Sequence, residues 1–175
     1  MDKKSVFERR PLWIGLNIVL LLIVLGALGL GGYSGWKFAA AGQDDSAHAD
    51  AMAAARLHVD GFMTTSAGSV DTDLDRIEAA STGEFKEQWA KQEPGLRESI
   101  VANQASSAGD ILSAAVVYDN PEYPTDSDSV GVIVVADAHV TNVNAPEGRV
   151  VHYRVIVGMS LVDGKWLIGK LGFVA

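Results

Sequence analysis

From Pro11 to Trp36 the chain carries no charged residue. The centre of that run, LWIGLNIVLLLIVLGALGLGG, would span about 30 Å as a helix rising about 1.5 Å per residue, which is the thickness of a bilayer's hydrocarbon layer. Residues 11–36 are therefore expected to form one transmembrane helix, and any globular unit must lie to one side of it. Lys3, Lys4, Arg9 and Arg10 precede the run and outnumber Asp2 and Glu8, while only Lys37 follows closely before Asp44, Asp45 and Asp50. The positive-inside rule then puts residues 1–10 in the cytoplasm and the C-terminal domain outside. Ala39-Ala40-Ala41 has the form of a signal-peptidase site, but the apolar run is longer than an ordinary signal h-region and Trp36-Lys37 intervenes, so an uncleaved anchor is expected. Within the span, Ala27, Gly31 and Gly35 form a small-residue ridge at four-residue spacing that would let another helix approach closely. Asn17 is the lone polar side chain of its apolar half.

The charge balance of the rest excludes one large class of function. Of the 14 basic residues, Lys3, Lys4, Arg9, Arg10 and Lys37 lie in or beside the anchor; of the 22 acidic ones, only Asp2 and Glu8 do. The remainder is nine against twenty, a net charge of about -11 on the outer domain. Such a surface repels phosphate backbones, and no basic stripe interrupts it, so nucleic acid is not an expected partner. With no cysteine in 175 residues, disulfides and thiolate metal sites are excluded.

After a linker over 37–45, Ser46 can cap a helix with Met52, Ala55, Val59 and Phe62 on its apolar stripe. The stretch VDTDLDRIEAASTGEF over 70–85 places Asp71, Asp73 and Asp75 at alternate positions, as a calcium loop does. The sixth position is Arg76 rather than Gly and the twelfth is Thr82 rather than Glu, which rules against such a loop. A helix start capped by Asp71 is expected instead, followed by a second start in which Ser81 and Glu84 make a capping box. Pro94-Gly95 should interrupt the helical pattern before Leu96, Ile100 and Val101 resume it.

From Asp110 the period changes. Ile111 to Tyr118 reads as a strand, residues 119–128 as a loop, and SVGVIVVADAHVTN, RVVHYRVIVGMSLV and KWLIGKLGFV as three more strands, the last two joined by the tight turn Asp163-Gly164. Pairing the middle strands about Asn144–Gly148 sets Asp137 opposite Arg154 and His139 opposite His152. One face then carries Val130, Val132, Val134, Ala136, Ala138 and Val140 against Val151, Tyr153, Val155, Val157, Met159 and Leu161, and must be the core. The other carries Asp137, His139, His152 and Arg154 at one end and an apolar patch of Ile133, Val135 and Ile156 at the other, a candidate partner-binding surface. Helices first and a curved antiparallel sheet after, in residues 46–175, is an α+β plan that fits a cone of the nuclear-transport-factor-2 (NTF2) type.

Catalysis needs acid and base groups converging inside a pocket, and the expected core face offers only Tyr153 on its two central strands. Asp137, His139, His152 and Arg154 are better explained as surface pairs than as catalysts or zinc ligands, so no catalytic residue, metal or cofactor is expected.

The order of pieces is also familiar. Val70, Asp71, Asp73, Leu74 and Arg76, then Ser81, Thr82, Gly83 and Phe85, then Trp166, Leu167, Leu171, Phe173 and Val174, all behind a single N-terminal anchor, resemble the actinobacterial Mce-associated membrane proteins. The resemblance implies a single-pass cell-membrane protein whose outer domain is NTF2-like (SnoaL/VirB8-like). It further implies a non-catalytic accessory or scaffold subunit of an Mce-type lipid import system. Its expected partners are Mce proteins and their permease subunits, with self-association into a homo-oligomer also open. The alternative is a membrane-anchored NTF2-like enzyme or lipid-binding domain for a small hydrophobic ligand such as a steroid or lipid.

Overall fold

A computed structural model of the protein describes residues 45–174. The expected anchor over 11–36, its ridge of Ala27, Gly31 and Gly35, and most of the linker lie outside the described residues. Among the described residues no helix is long and apolar enough to cross a membrane. Three helices come first, α1 (Asp45–Met63), α2 (Val70–Ala79) and α3 (Gly83–Ala102), with a two-residue strand β1 (Thr65–Ser66) after α1. Then follow β2 (Ser106–Val117), β3 (Ser129–Asn142), β4 (Ala145–Val162) and β5 (Lys165–Phe173). The strands form one antiparallel sheet in sequence order, β1 to β5. This is the α+β, NTF2-like cone, three helices packed into the concave side of a curled sheet, with one more short strand than the sequence led us to expect.

The core lies between helices and sheet. On α1 the fully buried stripe is Ala51, Ala55, Val59 and Met63, four residues apart, with Met52 and Phe62 packed at its side. Alanine at two of those positions brings the α1 backbone close to the sheet. Val70, Leu74 and Ile77 of α2 and Phe85, Trp89 and Ile100 of α3 complete the helical layer. Against them stand Val130, Val132, Val134, Ala136 and Ala138 of β3, with Tyr153, Val155, Val157 and Met159 of β4, all at or below 8 % exposure. The face chosen from alternation is thus the buried face along its middle, while Val140 and Val151 at one end are half-buried and Leu161, expected in the core, is exposed beside the β4–β5 turn.

The register differs from expectation by two residues. Asp137 pairs with His152, and His139 with Val150, so neither Arg154 nor the second histidine stands where the sequence placed it. The turn is tighter than the Asn144–Gly148 span suggests, being only Val143 and Asn144, and β4 carries an irregularity before Arg149 opposite the step from Val140 to Asn142. Gly148 makes that irregularity with φ +70°, and a Cβ there would meet the His139 ring at 2.5 Å. A slip of two keeps every side chain on its face, which is why the core assignment survived the wrong partners. Further shifts at Ile111/Ser113 and at Gly158/Met159 insert Leu112 and Gly169 as extra residues. Such bulges bend a sheet, and here they curl it around α1. The Asp163-Gly164 hairpin has φ of 50° and 76°, the two left-handed residues that a tight primed turn requires.

Three local expectations in the helical half need correction. The N-cap of α2 is Ser69, not Asp71, and Asp71 and Asp73 lie in the first turn. Ser81 does not open a capping box: its hydroxyl donates back to Ile77 O at 2.6 Å, and Thr82 is the N-cap of α3. The corner between the helices is stitched to β5 instead, through Thr82 N to Ile168 O and Ile168 N to Ala80 O, both 2.8 Å. Pro94 does not end α3, which runs through it to Ala102. Burial holds the two halves independently, Phe85 and Trp89 before the proline and Ile100 after it, so the one hydrogen bond that proline removes is tolerated.

Candidate functional site

The outer face of the sheet is where the sequence nominated residues. Asp137 and His152 do meet, with Nδ1 of His152 2.6 Å from Oδ1 of Asp137, but the His152 side chain is 80 % exposed. Asp110 of β2 pairs on the other side of Asp137, so two carboxylates and one imidazole stand in a row across three strands. His139 and Arg154 are exposed and lie outside that row. Among the described residues no three His, Asp or Glu side chains are arranged to hold a metal ion. An exposed ion pair of this kind contributes at most about 1 kcal/mol.

The apolar patch at the other end is not open. Ile156 is only 3 % exposed and packs with Val117 and Tyr123, while Ile133 is half-buried beside them and Val135 is likewise half-buried. The loop over 118–128 folds back across this face and seats Tyr123 on it. Its return is pinned by Thr125, whose hydroxyl donates to Val117 O at 2.8 Å and accepts from Gly131 N at 3.0 Å. Asp126 also accepts from the backbone N–H groups of Asp128 and Ser129. Ile156 and Ile133 therefore belong to a small second core with Val117, Tyr123 and Val174, not to a free surface, and Val135 lies beside it. The missed signal was three glycines on the outer face, Gly131, Gly158 and Gly172, one on each of three adjacent strands: all three positions border Tyr123.

A different site emerges at the open end of the cone, on the inner face. A cavity of about 90 Å³ lies between the end of α1, the C-terminal half of α3, the start of β2 and the paired ends of β3 and β4. Phe62, Trp89, Tyr153 and Phe173 supply aromatic walls, with Ile77, Leu96, Ile100 and Ala138 between them. Ser99, Asn103, Ser106, Ser107 and Asn142 also line it and are half-exposed, which makes them the rim. A smaller cavity of about 30 Å³ shares Phe62, Trp89 and Phe173 with the first. The rings are mutually packed, with centroids of Phe62 and Trp89 6.0 Å apart and those of Tyr153 and Phe173 6.4 Å apart.

The rim is fixed by how α3 ends. Gln104 takes φ 47° and donates its N–H to Val101 O, and Ala105 N reaches back to Ile100 O at 2.9 Å. These two bonds are the Schellman arrangement that closes a helix. Val143 N then bonds Asn103 O at 3.1 Å, tying the β3–β4 turn to the end of α3 across the cavity mouth.

Two polar atoms matter inside. Tyr153, the group singled out on the core face, does line the cavity, and burial raises its pKa, with Arg149 pulling the other way. A phenol held neutral in this way is a hydrogen-bond donor and not a base. Trp89 is 3 % exposed, and its Nε1–H is buried with no hydrogen-bond acceptor among the described residues. Apart from Tyr153, no lining residue of the larger cavity is ionisable.

Comparison with known structures supports the fold reading. The periplasmic domain of DotI superposes with a TM-score of 0.59 at 11% identity, covering 76% of this chain and 99% of that one. An IcmL-like type IV secretion system protein from Legionella pneumophila gives 0.53 at 12% identity, covering 77% and 91%. At such identities the likeness is one of fold. No curated protein matches the chain in sequence. In sequence the chain belongs to the family described as uncharacterized protein Rv1363c/MT1408-like, whose model matches residues 14–175.

Proposed function

We propose that this protein is a non-catalytic accessory subunit that stabilises or assembles an Mce-type lipid import complex. In this reading residues 11–36 anchor it in the cell membrane, its N-terminus is cytoplasmic, and the cone stands in the envelope. The observation that carries the non-catalytic part is the lining of the cavity, where Tyr153 has no acid or base beside it with which to move a proton. The Asp137–His152 pair lies on the opposite face of the sheet, in solvent. The Mce assignment rests on the order of sequence pieces behind one anchor. The DotI domain is described as periplasmic and the Legionella protein as part of a type IV secretion system. We extend to this chain their placement outside the membrane and their membership of an assembly.

Deleting the gene is expected to lower the abundance of Mce and permease subunits and to slow lipid uptake, and purification of the protein should recover those subunits with it. Replacing Asp137, His139, His152 and Arg154 together by Ala should leave uptake supported. Unchanged partner abundance in the deletion strain would remove the scaffold reading. A second reading, a domain that binds a small hydrophobic ligand, is favoured by the cavity itself.

A further inference from the structure

We infer that the free edge of β2, from Leu112 to Val117, takes up an extended segment of a partner protein as a further strand of the sheet, a segment uncharged along its middle and carrying Lys or Arg at its ends. The inference rests on the scaffold reading and names the surface by which the cone holds its partner.

The two edges of the sheet are finished differently. At β5 the corner of Ala80 to Thr82 bonds Ile168 through both its N–H and its carbonyl, and Lys165 and Lys170 stand along the strand. At the other edge β1 pairs only with Ser106 and Ser107, and Thr64 Oγ1 then takes the Gly109 N–H. From Ile111 to Val117, β2 pairs with β3 alone among the described residues. The Val117 carbonyl faces β3, since it accepts from the Thr125 hydroxyl that in turn accepts from Gly131 N on that strand. Alternation along an antiparallel strand therefore turns the N–H and C=O groups of Ala114 and Val116 toward the open side. Edges are normally blunted by lysine, proline or a bulge. Here the bulge at Leu112 bends only the near end, and the run ILSAAVV has no charge and no proline. Leu112 is 54 % exposed, so an added strand would cover it while pairing with the free backbone beyond.

Charge decides the partner. Between Glu98 and Arg149 the chain holds no Lys or Arg, so β2, the loop over 118–128 and β3 lack both. Asp110 is exposed at one end of the edge, where Asp60 Oδ1 also stands 3.3 Å from the position of a Cβ on residue 109, and Asp119 is exposed at the other end. A second copy pairing antiparallel about Ala114 would set the Asp110 of each chain beside the Asp119 of the other, like charges at both ends. Lysines or arginines flanking an uncharged strand meet those carboxylates with the opposite sign.

The test uses the full chain in a non-ionic detergent, with amide hydrogen exchange read residue by residue, and three peptides about eight residues long, roughly 26 Å when extended. The first alternates Thr and Val between terminal lysines, the second has glutamates in place of the lysines, and the third keeps the lysines but has Pro for each Val. The first should slow exchange at Ala114 and Val116 and leave β5 unchanged; the third should protect neither. At low salt the Glu-ended peptide should bind about fivefold more weakly than the Lys-ended one, as two exposed charge pairs allow, and the difference should shrink in about 1 M salt. Asp110→Lys, a change at an exposed position, should narrow it too. No slowing in β2 of the wild-type chain by the Lys-ended peptide, or slowing in β5 instead, would overturn the edge site. Equal binding of the Lys-ended and Glu-ended peptides at low salt would overturn the charge assignment. Protection of Ala114 and Val116 that grows with protein concentration in the absence of peptide would make a second copy the occupant and overturn the inference. Loss of Mce subunits in the deletion strain together with an unprotected β2 edge would leave the scaffold reading without this surface, so the two fail separately.

Discussion

The hydroxyl of Tyr123 rests against the backbone of Gly172, in the space that the Cβ of any other residue at 172 would occupy. The same ring passes Gly158 on β4, and the Tyr123 carbonyl oxygen stands 2.7 Å from where a Cβ of residue 131 would be. Lys170 lies over the ring, its Nζ 5.1 Å from the centroid. Three strands thus give up side chains to seat one tyrosine, two of them for its ring and one for its backbone, and the ring packs with Ile156 in the second core. Gly172→Ala is expected to destabilise the protein by about 1–3 kcal/mol, as overpacking does. In a Tyr123→Phe background, which removes the clashing oxygen, the penalty should shrink. Thermal unfolding of the four variants of this cycle measures it; an equal penalty in both backgrounds would place the clash elsewhere.

The same residue makes stability depend on pH in the alkaline range. Burial first, and the carboxylates of Glu122 and Glu84 second, raise the Tyr123 pKa from 10.0 to about 12. The folded state therefore holds the phenolic proton more tightly than the unfolded chain does. That contribution is fully present below pH 10 and is lost as pH rises from 10 to about 12, on the order of 2 kcal/mol in all. Denaturant midpoints at pH 9, 10.5 and 11.5 should fall more steeply in wild type than in Tyr123→Phe, and parallel slopes would refute the assignment.

Alternation in β3 and β4 was enough to choose the buried face, because a strand's side chains change face with every residue and only one phase buries Val134 and Val155, which pair directly and are both fully buried. The partners were less legible. Register depends on where the turn falls and on the irregularity before Arg149, and a proline-containing APEG stretch reads as loop although here it continues β4. The seat of Tyr123 was hidden for another reason: residues 118–128 look like a polar loop, and only the three glycines, far apart in sequence, record that something lies over the sheet. The cavity was the least legible part. Its walls come from the ends of α1, α3, β2, β3, β4 and β5, and Tyr153 alone was visible as an inward-facing polar group. That Trp89 would lack an acceptor follows from packing and from nothing in its neighbours along the chain.

Val134→Asp and Val155→Asp should each abolish the cooperative unfolding transition, since an unpaired carboxylate at a fully buried position costs more than about 4 kcal/mol. Thr141→Asp, half-exposed beyond the buried stretch of β3, should change stability by less than about 0.5 kcal/mol. Circular dichroism melts separate the two outcomes, and a native-like Val134→Asp protein would mean the faces are reversed.

At the start of α2 the ranking of two aspartates is expected to follow their partners. Asp73 is nearly buried, accepts from Ser66 N at 3.1 Å and Ser69 Oγ at 2.6 Å, and pairs with Arg76 at 3.1 Å. Asp73→Ala leaves the Ser66 N–H without its acceptor and should cost about 1–3 kcal/mol, although the Ser69 hydroxyl can still turn to Ser66 Oγ and Arg76 keeps its bonds to Gly61 O and Thr64 O. Asp71 is 82 % exposed and meets only Arg97, so Asp71→Ala should cost less than about 1 kcal/mol. Calcium should leave the melting temperature of the wild type unchanged. A calcium-dependent rise that disappears in Asp71→Ala would revive the metal reading of this stretch.

The proposed orientation can be checked at the loop that seats Tyr123. Ser127 is exposed between the two anchored ends of that loop, and the native sequence contains no cysteine to compete with one placed there. The loop's tethers are the Asp126 carboxylate and the Thr125 hydroxyl, so Ser127→Cys should fold normally. In the proposed orientation this loop lies on the outer side of the membrane. A membrane-impermeant maleimide applied to intact cells should therefore label Ser127→Cys. A cysteine at Ser5, among the basic residues before the anchor, should react only after lysis. Reversed reactivity of the two positions would put the cone in the cytoplasm, and with it would fall the proposal that this domain assembles an envelope complex.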